Sequence, residues 1–294
     1  MRDESKRMID DRTLAEDLRK TLQTGGFVLH YQPIFAVETG EIVSVEALFR
    51  WTHRDYGEIA PDRAIALTEA CDLIIPLGEW VLRRACDEAR QWPFLDLCVN
   101  VSPLQLRHKG FLASLDRIVA ETGFDPSRLV LEVTENHPLH YDAATLRLLA
   151  QLRQRGIRLA LDDFGSGHAS FDTLRDFPFD KLKIDRSFIA SSLTSLEDRL
   201  MLQAIVRAGV TCGLIVTAEG VETKEQNALL QRLGCDELQG FLFSPAVPPV
   251  DLMALLNRQK SASQKRNLSG IDPMHWRNFN SAETRRPQPG FPPA

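Results

Sequence analysis

Leu159-Ala160-Leu161-Asp162-Asp163-Phe164-Gly165-Ser166-Gly167 is the stretch on which the reading of this chain turns. An apolar, strand-like run ends in two adjacent carboxylates and then breaks at Gly165 and Gly167, residues that tolerate backbone angles others resist. Two acids at the end of a buried strand raise each other's pKa unless cations hold both ionised. Successive strand residues point to opposite sides, so one acid is expected to face a central site while its neighbour turns toward the rim. A glycine-flexible loop just beyond is what a site that closes over a ligand needs. Alone, the stretch also fits an ordinary Asp-rich turn, and the rest of the chain has to decide between the two.

Outward from this stretch, short apolar runs alternate with amphipathic ones. Strands are expected over 27–35, 42–49, 95–101, 129–134, 158–162, 181–184, 214–218 and 237–243, and helices over 76–91, 111–122, 143–155, 195–212 and 224–233. Only Val37-Glu38-Thr39-Gly40 separates the first two strands, too little for a crossover helix, so they form an antiparallel hairpin. Eight strands with helices outside them point to an α/β fold, a modified TIM-type (β/α)8 barrel with one antiparallel strand near the N-terminus. Residues 1–24 form a lead-in, helical from Arg12 with Leu14, Leu18 and Leu22 on one face, and 25–258 form the barrel. From 259 to 294 the chain is polar and Pro-rich, its six Lys and Arg against two acids leaving +4, and it reads as a disordered extension with Trp276 and Phe279 as possible docking residues.

Composition narrows the function. The chain has 294 residues, 44% of them hydrophobic, enough for one large domain with extensions. Five scattered cysteines without C-x-x-C spacing argue for reduced thiols rather than a disulfide frame or a zinc site. No membrane segment and no signal-peptide core is visible, which places the chain in the cytoplasm, and a net charge of −5 gives no reason to expect a nucleic-acid polymer as partner.

Nearly every expected strand closes on a polar group that an apolar core would not choose: Glu46, Asn100, Glu132, Asp162 with Asp163, Lys183, Glu219 and Gln239. In a barrel these strand ends converge on one mouth, where catalytic groups are found. Carboxylates gathered there without cations are strongly disfavoured, so the set implies bound metal. Oxygen ligands with no His or Cys cluster favour Mg²⁺ or Mn²⁺, and the number of ligands suits two ions bridged by a shared carboxylate, an arrangement that cleaves phosphodiesters. Lys183 is placed to hold the attacking water or to offset phosphoryl charge, and Arg50 offers a fork for phosphate.

Eight motifs in order then carry a family resemblance: Tyr31-Gln32-Pro33-Ile34, Glu46-Ala47-Leu48-Phe49-Arg50-Trp51, Val99-Asn100-Val101-Ser102, Leu131-Glu132-Val133-Thr134-Glu135, Leu161-Asp162-Asp163-Phe164-Gly165, Leu182-Lys183-Ile184-Asp185, Ala218-Glu219-Gly220-Val221-Glu222-Thr223 and Leu238-Gln239-Gly240-Phe241. With them the chain resembles the EAL family of cyclic di-GMP phosphodiesterases from about Leu18 to Leu256. The resemblance implies hydrolysis of one phosphodiester of cyclic di-GMP to linear pGpG with Mg²⁺ or Mn²⁺, often in a homodimer. It implies Glu46, Asn100, Glu132, Asp162, Asp163 and Glu219 as metal ligands, with Asp162 the bridge. Lys183 is the implied water-positioning group, and Gln32, Leu48, Arg50 and Gln239 are the implied substrate contacts. Glu135 is implied to steady the loop after Asp163, with Glu222 and Asp185 in supporting places. The loop departs from the family at His168 and Ala169, where Tyr and Ser are usual, which touches regulation more than catalysis. Rival readings are a catalytically silent cyclic di-GMP receptor, a protein-interaction module, and another metal phosphohydrolase on the same barrel. The first 24 residues resemble the helix that joins an upstream regulatory or cyclase domain to such a barrel.

Overall fold

The computed structural model describes residues 10–134, 143–165, 174 and 177–268, with side chains as far as 261. Helix α1 (Asp11–Thr24) leads in, burying Leu14, Ala15 and Leu18. Its polar side is tied down by Asp17, whose carboxylate lies 3.1 Å from His53 Nε2, and by Asp11, which accepts from Arg63 at 2.7 Å. Strands β1 (Phe27–Ala36) and β2 (Ile42–His53) form the expected hairpin, register Gln32 opposite Glu46. The chain then alternates through β4 (Asp96–Asn100), β5 (Leu129–Thr134), β6 (Arg158–Phe164), β7 (Lys181–Ile184), β8 (Ile215–Ala218) and β9 (Glu237–Leu238).

Hydrogen-bonded neighbours run β1-β2-β4-β5-β6-β7-β8-β9 and β9 returns to β1, closing an eight-stranded barrel. All neighbours from β2 through β9 are parallel, and β1 is antiparallel to both of its own. This is the α/β barrel with a single reversed strand that the sequence predicts. Apolar side chains on both faces of the parallel strands explain why they read as continuous hydrophobic runs rather than alternating ones. Below the mouth the interior is plugged by Ile34, Cys98, Val130 and Ala160.

Helices α2 (Pro61–Ala70), α3 (Ile74–Ala89), α4 (Pro103–Arg107), α5 (Phe111–Thr122), α6 (Ala143–Gln154), α7 (Arg186–Ser191), α8 (Leu196–Thr211) and α9 (Lys224–Leu233) occupy the connections. Capping boxes start α4 (Ser102 with Gln105) and α9 (Thr223 with Gln226), and Pro61 opens α2. The short helices α2, α4 and α7 lie in stretches that carry no clear helical period and are absent from the sequence reading.

Two strands depart most from expectation in length, the others by no more than two residues at an end. β2 continues to His53 because residues 51–53 pair antiparallel with an additional strand, β3 (Gly57–Ile59). β9 stops at Leu238 instead of running to 243, since Phe243 and Ser244 both donate back to Gly240 O at 3.1 Å and fold the segment into a turn. The last helix, α10 (Pro249–Leu268), begins in the compact unit of residues 1–253 and passes into a second unit of residues 254–294. Its backbone stays helical to Leu268, beyond residue 259 where the sequence reading starts the extension; Trp276 and Phe279 lie outside the described residues. Among the described residues no helix is long and apolar enough to cross a membrane.

Candidate active site

Strand alternation carries the polar ends of the barrel strands into one group around Lys183. Its side chain is 1% exposed, and Nζ lies 2.6 Å from Glu219 Oε1, 3.0 Å from Glu132 Oε2, 3.1 Å from Asp162 Oδ1 and 3.3 Å from Glu46 Oε2. Glu46 is held on its other side as well: Asn100 Nδ2 donates to Oε1 at 2.7 Å and Gln239 Nε2 donates to Oε2 at 2.8 Å. Gln239 also donates to Gln32 Oε1 at 3.1 Å, and Gln32 Nε2 donates to the Ser244 carbonyl at 3.2 Å. Residues from six strands and the two turns that follow β8 and β9 thus meet at one end of the barrel.

Asp163 does not turn away as strict alternation predicts. The ladder between β6 and β7 slips between Leu161 and Phe164, and Asp163 takes the left-handed backbone conformation at φ +56°. Asp tolerates that region better than most residues, though still at a cost of roughly 1 kcal/mol or more. The irregularity swings the second carboxylate back toward the first, so that oxygens of Asp162, Asp163 and Glu219 lie within 4.8 Å of one another. The Asp163 amide donates to Asp162 Oδ1 at 3.0 Å.

The electrostatics follow from burial. Desolvation pushes Glu132 well above the usual carboxylate range and raises Asp162, in both cases against the pull of Lys183. Glu219 is pushed up to about 8 by burial, again against Lys183, and Asp163 to about 6 by burial and the neighbouring Asp162. Glu46 alone goes down: burial opposes ionisation, but Lys183, Gln239 and Asn100 together outweigh it. Lys183 itself is raised well above its ordinary value, because the surrounding carboxylates overcome the cost of burying its charge.

Five carboxylates and one ammonium sum to 1 − 5 = −4 when all are ionised, a deficit that two divalent cations cancel. The donor set fits hard cations, being oxygen throughout, and Glu132 Oε1 is buried without a hydrogen-bond partner. Among the described residues the donors at this site therefore suit Mg²⁺ or Mn²⁺ and include no thiolate or imidazole for zinc.

Two clefts open from this group and share Leu48, Asp62 and Asp163. One, about 560 Å³, is lined by Gln32, Glu46, Asp185, Glu219, Glu222 and Gln239 with Phe241 at its edge; the other, about 480 Å³, by Arg50, Asn100, Asp162 and an apolar wall. Each is of the size that holds a drug-sized ligand. Arg50 lies at the wall with its Nε 4.0 Å from Glu58 and NH1 donating to the Phe49 carbonyl at 2.8 Å. Asp185 caps α7 by accepting from the Ser187 amide at 2.9 Å, and exposed Glu222 lies at the rim. Glu135, His168 and Ala169 lie outside the described residues.

Three features at the site were not read from the sequence. Asp62 lines both clefts, and the only signal for it was an acid directly after Pro61. Ser102 Oγ donates to Glu69 Oε1 at 2.6 Å in the wall of the second cleft. Below the mouth, Lys181 and Glu237 make a second buried ion pair.

The EAL domain family model matches residues 15–246. The chain is 41% identical over 248 residues to the bifunctional diguanylate cyclase/cyclic di-GMP phosphodiesterase MucR of Pseudomonas aeruginosa, covering 82% of this chain and 36% of MucR. It is 40% identical over 240 residues to the cyclic di-GMP phosphodiesterase NbdA of the same organism, covering 80% and 31% respectively. Among solved structures, the MucR phosphodiesterase in complex with c-di-GMP superposes with a TM-score of 0.78 at 40% identity, covering 82% of this chain and 99% of that one. The EAL domain of Mycobacterium smegmatis DcpA superposes at 0.68 with 34% identity, covering 80% and 97%. The chain spans about a third of the length of the curated relatives it matches. Its barrel, its ordered motifs and these likenesses place the chain in the EAL domain family.

Proposed function

We propose that the chain hydrolyses one phosphodiester of cyclic di-GMP to linear pGpG with two Mg²⁺ or Mn²⁺ ions. The observation that carries this reading is the group of five carboxylates around one buried lysine, opening into two clefts, in a chain so similar to two cyclic di-GMP phosphodiesterases. In this reading Glu46, Asn100, Glu132, Asp162, Asp163 and Glu219 would hold the cations, Asp162 being the residue that the family resemblance implies as common to both. Two such ions generate a nucleophile at neutral pH and stabilise the charge on the attacking and leaving oxygens.

The chain's own residues do the positioning. Lys183, charged at any physiological pH, holds a water by donating to it and offsets phosphoryl charge. Arg50 presents its guanidinium from the cleft wall to a substrate phosphate, and Gln32, Leu48 and Gln239 line the path along which the dinucleotide lies. Glu222 and Asp185 support the loops around them, and Glu135, outside the described residues, keeps the loop-steadying role that the family resemblance implies. The reading includes a homodimer in the cytoplasm and, in a longer parent protein, a regulatory or cyclase domain upstream.

The test is turnover of cyclic di-GMP with Mg²⁺ or Mn²⁺, product separated by chromatography, beside Glu46→Gln and with EDTA. Metal-dependent formation of pGpG that the substitution abolishes supports the proposal. Tight binding of cyclic di-GMP without turnover in either metal refutes the enzyme reading in favour of the receptor, and turnover of other phosphodiesters at equal rates refutes the substrate.

A further inference from the structure

Two residues below Lys183 on β7, Lys181 also points into the barrel, and its side chain is 2% exposed. Its Nζ lies 2.7 Å from Glu237 Oε2, and the same oxygen accepts from Thr217 Oγ1 at 2.8 Å. The strands involved are β7, β8 and β9, so the pair spans one strand to join its two neighbours. Ala160 sits beside Lys181 in the ladder and is fully buried.

The location of this crossing is informative. β9 is only two residues long, with two ladder positions to β8 and two to β1, and single backbone bonds continue past its ends, Asp236 N donating to Val216 O and Gln239 N to Ala218 O, both at 2.9 Å. Gln239 follows directly after it, two residues on from Glu237 and therefore on the same inward face. Gln239 in turn grips Glu46 Oε2 at 2.8 Å and Gln32 Oε1 at 3.1 Å. The Gln239 backbone is held at its amide by Ala218 O and at its carbonyl by the Val221 amide, at 2.9 and 3.0 Å, but these bonds lie in the barrel wall and leave the inward face to side-chain contacts. The ion pair ties that inward face of the short strand from inside the barrel.

We propose that Lys181 and Glu237, with Thr217, form a positioning pair that fixes Gln239 and through it Glu46. Neither residue touches the clefts, so the pair acts through Gln239 rather than on substrate. Removing one partner would leave an uncompensated buried charge and disturb folding for that reason alone. The informative variant is therefore the neutral double replacement Lys181→Met with Glu237→Gln, with Thr217→Val as a milder second that keeps the ion pair.

Two measurements decide the matter. The first does not depend on the proposed function: the side-chain amide resonances of Gln239, assigned by loss in Gln239→Met, are well dispersed in the parent protein and collapse toward the random-coil position in the double variant. The second rests on the two-cation reading: Mn²⁺ affinity, followed by electron paramagnetic resonance, falls about tenfold in the double variant and about threefold in Thr217→Val, as for other residues that hold a metal ligand in place. If the parent protein binds no Mn²⁺, the two-cation reading fails and the Gln239 resonances still decide the positioning. Gln239 resonances unchanged in the folded double variant, or in Thr217→Val should the double variant not fold, overturn the proposal and leave the pair a purely structural one.

Discussion

Replacing Lys183 by methionine tests the electrostatic account of the site most severely. The ammonium is buried with carboxylate oxygens of Glu219, Asp162, Glu132 and Glu46 at 2.6 to 3.3 Å. At such distances each attraction is of order 5 kcal/mol at an effective dielectric constant of about 20, set against a desolvation cost of several kcal/mol per ion. Breaking a buried ion pair from one side costs about 3–5 kcal/mol, which in a domain of this size lowers Tm by roughly 6–20 °C. The pH dependence has a definite sign. Glu219 and Asp163 have folded-state pKa values raised to about 8 and about 6, so the folded protein binds more protons than the unfolded one between about pH 4.5 and 8. Their contribution is fully present below the unfolded values and is lost as the pH rises through the folded ones. Without Lys183 this trend steepens. Thermal melts of the metal-free proteins at pH 5.5 and 8.0 should show the variant destabilised most at pH 8.0, with millimolar Mn²⁺ restoring it by more than it stabilises the parent. A loss below about 1 kcal/mol at both pH values, with no rescue by Mn²⁺, would refute the reasoning.

Further outcomes follow from particular contacts. A Cβ on Gly240 would lie 2.2 Å from the Val221 backbone nitrogen, so Gly240→Ala must displace the turn that carries Gln239; activity should drop at least tenfold with a measurable loss of Tm, and an unaltered kcat would contradict the packing. Arg128 lies at the opposite end of the barrel, donating to the carbonyls of Leu95 at 2.8 Å, Trp92 at 2.6 Å and Ala89 at 3.3 Å. Arg128→Met should therefore cost about 2–3 kcal/mol by denaturant unfolding while leaving the proposed turnover of the folded protein unchanged, since these are hydrogen bonds to a charged group far from the mouth. Because cations bind ionised carboxylates, Mn²⁺ affinity measured by calorimetry should weaken at least tenfold from pH 8 to pH 6, with proton release on binding; equal affinities would show that Glu219 and Asp163 are not ligands.

Much of the fold is legible in sequence because parallel strands buried on both faces leave an unmistakable apolar run, and β5 and β7 fall where that run does. Helices α5 and α9 are equally plain, the first ended by Gly123 in the left-handed conformation and the second framed by Thr223 and Gly234. The convergence of Glu46, Glu132, Asp162, Lys183 and Glu219 was readable for a related reason. A lone acid or lysine closing an apolar strand has few places to go except the mouth of a barrel. What escaped was set by tertiary contacts. α2 and α4 are stabilised by what they pack against, β3 exists only because β2 offers an edge, and the end of β9 depends on Gly240 meeting the backbone of Val221. Lys181 was hidden by its neighbour: in Lys181-Leu182-Lys183 both lysines read alike, and only the structure shows that one holds carboxylates at the mouth and the other a glutamate beneath it.

Two irregularities of the barrel bear directly on the site: the slip in the β6–β7 ladder and the early end of β9. A regular β6 would send Asp163 to the outer face, out of reach of Asp162 and Glu219; the slip in the ladder and the left-handed backbone at Asp163 bring it back. A longer β9 would carry residues 240–243 along the strand axis, away from the turn that sets Phe241 at the edge of a cleft and the Ser244 carbonyl against Gln32, whereas Gln239 already has its backbone bonded to Ala218 and Val221. Each irregularity interrupts the regular ladder, and each is tied down nearby. The Asp163 amide donates to the Asp162 carboxylate, and the shortened β9 is anchored from within by Glu237, Lys181 and Thr217. Regularising either one, by closing the β6–β7 ladder or extending β9, is thus expected to stabilise the barrel and to dismantle its mouth, the trade that follows when strain is placed where the chemistry needs it.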